Sequence, residues 1–279
     1  MKITLAFMVF RPGGRWSEAL FSWLFHLSGD HQYEVICTFD DPENRDHPIE
    51  AAGRVMSLFP HVTYKPLMTG DINELRANNR ALDVAAPDSD VFVVLQDDNF
   101  IRDTRWDARL VDAMQQAARD VGKPIGAMGL LAGLKFDRSA QYRRVECWRD
   151  NKPDEFRPAA YSDILDPNLP IKVYAVDGVN RPLAVPTPVM HTIGGFDDLF
   201  APRDWDCTDL GVRLMREGYQ NLYVPLDIEN YCVKRKTQTV QEMAGYFEAN
   251  KPKFMGRHRH WFNTAFQSTY RPLFDFEVA

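Results

Sequence analysis

The sequence lacks most features that would tie it to a membrane, a thiolate metal centre or a polyanion. No apolar run approaches the ~18 residues that a membrane helix needs. Its 4 cysteines, Cys37, Cys147, Cys207 and Cys232, are scattered without a CxxC pair. That excludes zinc-ribbon spacing and implies no disulfide framework, so a reducing, cytoplasmic setting is the expectation. A net charge of −6 argues against a protein built to coat nucleic acid. The first apolar run is not followed by GxGxxG, which argues against a nicotinamide dehydrogenase. Repeats, low-complexity tracts and clear domain linkers are missing too.

What is present is one chain of 279 residues, 45% apolar and 26% charged. A globule of this size buries roughly 75% of its unfolded surface. A single domain over 1–279 is expected. The run 3–10 follows Lys2 and lacks a small-residue cleavage site, so it reads as a buried strand and not as a leader. Strand and helix patterns then alternate. Helices are expected over 16–27, 49–59, from Asp71 to near Pro87, and 107–121, the last stopped by Gly122. Strands are expected over 33–39, 62–67 and 91–95. Asp71 and Glu74 form a capping-box pattern. This alternation predicts an α/β fold with a mostly parallel sheet flanked by helices, with ligands beyond the carboxyl ends of the strands. Residues 136–168 read as a long charged loop. Strands resume over 171–176, 183–189 and 222–224. A helix over 208–217 follows Asp206 as N-cap, and a last helix over about 240–249 precedes a basic tail.

The clearest chemistry lies at the end of the fourth strand, Val91-Phe92-Val93-Val94-Leu95-Gln96-Asp97-Asp98-Asn99. Hard carboxylate oxygens there suit Mg²⁺ or Mn²⁺, which keep positions open for phosphate oxygens. In an extended chain Gln96 and Asp98 face one side and Asp97 the other, which makes Asp98 the expected metal ligand. Arg76 and Asn79 precede this strand on a helix. Gly194-Gly195-Phe196-Asp197-Asp198 and Trp205-Asp206-Cys207-Thr208-Asp209-Leu210-Gly211-Val212-Arg213-Leu214 come later.

Together these segments, spanning roughly residues 1–225, resemble family 2 glycosyltransferases of the GT-A (Rossmann-like) fold. The resemblance implies an enzyme moving a sugar from a nucleotide-sugar donor, UDP-linked by expectation, to an acceptor hydroxyl with inversion. It implies a nucleotide-binding half (1–125), an acceptor-binding half (126–230) and a C-terminal helix with a basic tail (231–279). Phe10, Arg11, Pro12, Asp40, Arg76, Asn79 and Asp97 would line the donor, Asp98 would hold the cation, and Gly195, Phe196, Asp197 and Trp205 would form the acceptor wall. Two positions depart from the pattern. Gln96 replaces the first acid of the DXD motif, and Cys207 replaces the acid that serves inverting members as base. A thiol near its usual pKa of ~8.5 is a poor base at neutral pH. Asp206 or Asp209 then carries that role, or the alignment is shifted by one residue.

The acceptor is expected to be a surface glycan or a lipid-linked sugar, met peripherally at a membrane. A modified base in DNA is an alternative that the basic C-terminal stretch permits. Nucleotidyl transfer, and a catalytically inactive nucleotide-sugar-binding protein, are the other readings.

Overall fold

The computed structural model describes residues 1–10, 15–41, 43, 47–70, 72–147, 169–230 and 240–276. The expectations for Arg11, Pro12, Asp71, Cys232, Lys234, Arg235 and Lys236 lie outside these residues, as does most of the segment read as a charged loop.

The first half alternates as its apolar pattern dictates: β1 (Lys2–Phe10), α1 (Trp16–Phe25), β2 (Gln32–Asp40), α2 (His47–Met56), β3 (Val62–Met68), α3 (Glu74–Val84), β4 (Val91–Gln96), β5 (Asn99–Ile101), α4 (Trp106–Val121) and β6 (Ile125–Gly129). The second half continues with β7 (Gly133–Phe136), β8 (Tyr142–Val145), β9 (Lys172–Val176), β10 (Gly178–Val179), β11 (Leu183–Pro186), α5 (Thr187–Thr192), α6 (Asp206–Arg216), β12 (Gln220–Tyr223), β13 (Ile228–Asn230), α7 (Val240–Thr264) and β14 (Arg271–Asp275).

The main sheet has nine strands in the order β14-β9-β12-β6-β11-β4-β1-β2-β3. β3, β2, β1 and β4 run parallel, and β11 and β9 run against their neighbours. β1, β2 and β4 are buried almost end to end, as strands covered on both faces must be. The outer strands β3 and β14 are partly exposed and carry Pro66 and Pro272, residues that edges tolerate. One apolar core joins α1, α2 and α4 to one face of the sheet, and a second joins α3, α6 and α7 to the other.

Several elements differ from expectation. The strand expected over 183–189 ends at Pro186, where α5 begins. The charged stretch after Phe136 begins as a hairpin of β7 and β8. Its turn closes on Asp137 Oδ1, which accepts from the Ser139 amide (2.8 Å), the Ser139 hydroxyl (2.6 Å) and the Gln141 amide (3.1 Å). α6 starts at Asp206 instead of Thr208, so Asp206 is the first helical residue and Trp205 the cap. α7 continues to Thr264, so the basic residues Lys251, Lys253, Arg257, His258, Arg259 and His260 are helical and not a tail. Phe254, His258 and Phe262 form its buried stripe at helical spacing, and that burial carries the helix past Pro252.

Candidate functional site

The carboxyl ends of β1, β2 and β4 lie side by side, with Phe10 paired to Asp40 and Met8 paired to Gln96. The Phe10 amide donates to Asp97 Oδ2 at 3.0 Å, which ties the end of β1 to the acidic turn after β4. That turn is held from behind. Trp23 Nε1 donates to the Asn99 carbonyl (2.9 Å), and Trp106 Nε1 donates to the Trp23 carbonyl (3.0 Å). Asp98 Oδ1 accepts from Asn99 Nδ2 at 3.1 Å. Asn99 Oδ1 in turn accepts from Asn230 Nδ2 at 2.9 Å, across the small β5–β13 ribbon.

Asp40 is fully buried at the end of β2. Its carboxylate accepts from the amides of Ile72 and Asn73, both at 2.9 Å, and from Thr69 Oγ1 at 3.2 Å. It therefore shapes the loop into α3. Asn73, at φ +74°, caps α3 by accepting from the Arg76 amide, in the role the sequence assigned to Asp71.

β11 pairs antiparallel with β4, so its entry stands at the carboxyl end of β4. This brings Arg181 to the site, with its side chain only 9% exposed. Its guanidinium pairs with Asp206 and lies 3.5 Å from Glu74 Oε1. It also covers the Phe196 ring at 4.8 Å, a cation–π distance. Glu74 Oε1 accepts from Gln96 Nε2 at 2.8 Å. Gln96, Glu74, Arg181 and Asp206 thus form one largely buried polar chain from β4 to the start of α6, with Asp206 its most enclosed member. Burial works against the Arg181 charge, but the carboxylates of Asp206 and Glu74 outweigh it and raise its pKa further. Burial, with Asp206 and Glu74 adding to it against Arg181, holds the Cys207 thiol well above its ordinary value. Cys207 is a neutral thiol here.

The glycine-rich segment is strapped to α3. Asn79 Nδ2 donates to the Phe196 carbonyl (2.7 Å) and Asn79 Oδ1 accepts the Phe196 amide (2.9 Å). Arg76 pairs with Asp198 at 3.2 Å. Gly194 and Gly195 have φ of +77° and +67°, which glycine adopts at little cost. A Cβ on Gly195 would come within 2.6 Å of Asn79 Oδ1. Asp197 caps the single 3₁₀ turn Asp198–Phe200 and pairs with Arg257 at 2.6 Å.

The expected site residues have these partners. The Asn79 amide bonds the Phe196 backbone at both ends and so fixes the glycine-rich segment to α3. Phe196 is buried beneath Arg181. Trp205 also points inward: Nε1 donates to the Phe247 carbonyl (3.0 Å), and its ring lies 4.8 Å from that of Phe254. Asp209 is fully buried between Arg213 Nε and His258 Nε2, both at 2.7 Å, with Arg257 at 3.4 Å. This carboxylate, expected from the sequence as a candidate base, is enclosed by these partners with no exposed surface. Arg213 passes the constraint on by donating to the Ile193 and Gly195 carbonyls, both at 2.7 Å.

Glu74, Arg181 and Asp204 were not singled out from the sequence as site residues. Glu74 reads there as a capping residue, and Arg181 is recruited by an antiparallel register that no local pattern announces. Asp204 has the one available signal, an acid just ahead of the Trp205–Asp209 segment.

No protein-family model and no curated protein matches the chain. Solved structures do. GalNAc-T7 with UDP, GalNAc and Mn²⁺ aligns over 94% of this chain with a TM-score of 0.62 at 15% identity. The mannosyltransferase PcManGT from Pyrobaculum calidifontis, with GDP-Man and Mn²⁺, aligns over 94% with a TM-score of 0.57 at 17% identity. The chain spans 55% of the length of the first and 70% of the second. With the sheet order and layers described above, these likenesses show that the chain has the GT-A fold of glycosyltransferases.

Proposed function

We propose that the chain is a glycosyltransferase that moves a sugar from a nucleotide-sugar donor to an acceptor hydroxyl with the help of Mn²⁺ or Mg²⁺. The observation that carries this reading is the position of Asp97 and Asp98, at the carboxyl end of the central strand β4 of a GT-A fold. In this reading residues 1–125 hold the donor and residues 126–230 face the acceptor. Asp98, with Asp97 beside it, would hold the cation. Two carboxylates are few, and among the described residues no cluster of three His, Cys, Asp or Glu could hold a metal ion. The pair fits a hard cation that takes its other ligands from diphosphate oxygens and water. Such an ion, when bound, neutralises charge on the leaving diphosphate.

The donor is a UDP- or GDP-sugar, since the two similar structures hold UDP and GDP-Man. The acceptor is a glycan or another hydroxyl compound. The DNA alternative gains no support from α7, where Lys253 and Arg257 are engaged internally with Leu199, Asn250, Asp197 and Asp209. Among the described residues no helix is long and apolar enough to cross a membrane.

The test is the shift in Tm with UDP, GDP and a panel of sugar nucleotides, with and without Mn²⁺. A ligand at ~100 times its Kd stabilises by ~2.7 kcal/mol. At ~2.1 cal/mol/K per residue, 279 residues give roughly 0.6 kcal/mol per degree, hence a shift of about 4–5 °C. Asp98→Ala is expected to abolish the Mn²⁺-dependent part. No shift with any nucleotide would refute the reading.

A further inference from the structure

The turn that enters α6 is built unlike any other part of the site. Asp204 and Trp205 are consecutive non-glycine residues in the left-handed region, at φ +68° and +69°. Such conformations are costly for residues with a Cβ and persist only where the surroundings impose them. Here α7 imposes them. Asn250, itself buried, directs one amide group at three carbonyls of the turn: Phe200 (2.9 Å), Arg203 (2.8 Å) and Asp204 (3.3 Å). Trp205 is anchored on the Phe247 carbonyl. The strained turn leaves the Asp204 side chain 19% exposed. Among the described residues none donates a hydrogen bond to its carboxylate, and the cation paired with it is Arg203 Nε at 3.6 Å.

Among the described residues, the two other acids and the thiol in the first turn of α6 itself are engaged or neutral. Asp206 is paired to Arg181, Asp209 is enclosed by Arg213 and His258, and Cys207 is a buried neutral thiol. We propose that Asp204 is the general base that takes the proton of the acceptor hydroxyl. This rests on the glycosyltransferase reading above. The acceptor oxygen forms its bond to the anomeric carbon as the bond from that carbon to the diphosphate oxygen breaks, with its electron pair leaving on the diphosphate. The acceptor proton passes to an Asp204 carboxylate oxygen and then to solvent.

The electrostatics support the role. Burial, with Asp206 and Glu74 adding to it against Arg203 and Arg181, lifts the Asp204 pKa to about 6. A carboxylate of that basicity is largely ionised at neutral pH, yet is a stronger base than an ordinary one.

The experiment compares wild type, Asp204→Asn and Asp204→Glu. Asn tolerates positive φ, so the turn survives the first substitution. Release of UDP or GDP is measured from UDP-glucose, UDP-GalNAc and GDP-mannose with Mn²⁺, with water and a panel of alkyl glycosides as acceptors. The donor-induced Tm shift is recorded alongside. Asp204→Asn is expected to keep the donor-induced shift while kcat falls ~10²–10⁴-fold. The rise of wild-type kcat/KM through pH about 6 is expected to vanish in it and to return, displaced, in Asp204→Glu. An Asn variant that keeps its rate and its acid limb overturns the inference, as does one that loses donor binding. A wild type that binds donor but releases no diphosphate overturns it while leaving the donor site standing. A wild type with no nucleotide-dependent shift brings down the glycosyltransferase reading itself.

Discussion

Gly194 and Gly195 offer a matched pair for testing how the glycine-rich segment is held on α3. Both have positive φ, so alanine at either position meets the same backbone penalty, about 1–2 kcal/mol. Their surroundings differ. A Cβ on Gly194 finds no atom within 4 Å, whereas one on Gly195 meets Asn79 Oδ1 at 2.6 Å. Gly195→Ala must therefore also displace the Asn79 amide and break its two hydrogen bonds to the Phe196 backbone, at about 1 kcal/mol each. The totals are about 1–2 kcal/mol for Gly194→Ala and about 3–4 kcal/mol for Gly195→Ala. At roughly 0.6 kcal/mol per degree, Tm falls by about 2–3 °C and about 5–7 °C respectively. Calorimetry or thermal circular dichroism reads both. In an Asn79→Ala background the obstacle is gone, and Gly195→Ala should cost no more than its backbone penalty, a coupling of about 2 kcal/mol. Equal losses for the two glycine variants, or additivity in the double variant, would refute the claim that Asn79 fixes this segment.

Other outcomes follow from the polar network. Arg181→Met strands Asp206 and Glu74 in a buried site and should destabilise by about 3–5 kcal/mol at pH 7.5. Urea unfolding of wild type and variant reads the loss, and an unchanged midpoint would contradict the ion pair. Burial acts to raise the Asp197 pKa, but the Leu199 amide, Arg257 and Arg213 outweigh it and hold it below its ordinary value. Its contribution is therefore present above the ordinary carboxylate range and is lost as pH falls through the lowered folded value. The stability gap between wild type and Asp197→Asn should close in that acid window, and a gap that widens there would contradict the ion pair with Arg257.

The parts of the fold that local pattern encodes were legible in the sequence. β1, β2 and β4 announce themselves as unbroken apolar runs because both their faces are covered. Gly122 marks the end of α4 by taking the left-handed conformation expected of it. The acidic turn at Asp97 and Asp98 was legible for the same reason, since it ends such a run. The polar chain from Gln96 to Asp206 was not. Its members belong to β4, α3, the entry of β11 and α6, and only the antiparallel insertion of β11 makes them neighbours. Nor does a sequence distinguish the inward Trp205 from an acceptor-facing one, because the choice depends on α7 packing behind it. Asp209 carries the same lesson: a conspicuous acid on α6 is claimed by His258, which lies 49 residues further along.

The straps between α3 and the glycine-rich segment join residues 117 and 122 positions apart in the chain. Closing such distant pairs carries a loop-entropy cost that is recovered only once both partners are in place. The parallel strands β1 to β4 lie within the first 96 residues, whereas the Asn79 strap needs the segment near residue 196 and the strained turn needs Asn250 of α7. Substitutions at Asn250 should therefore loosen the strained turn while the pairing of β1 to β4 stays in place.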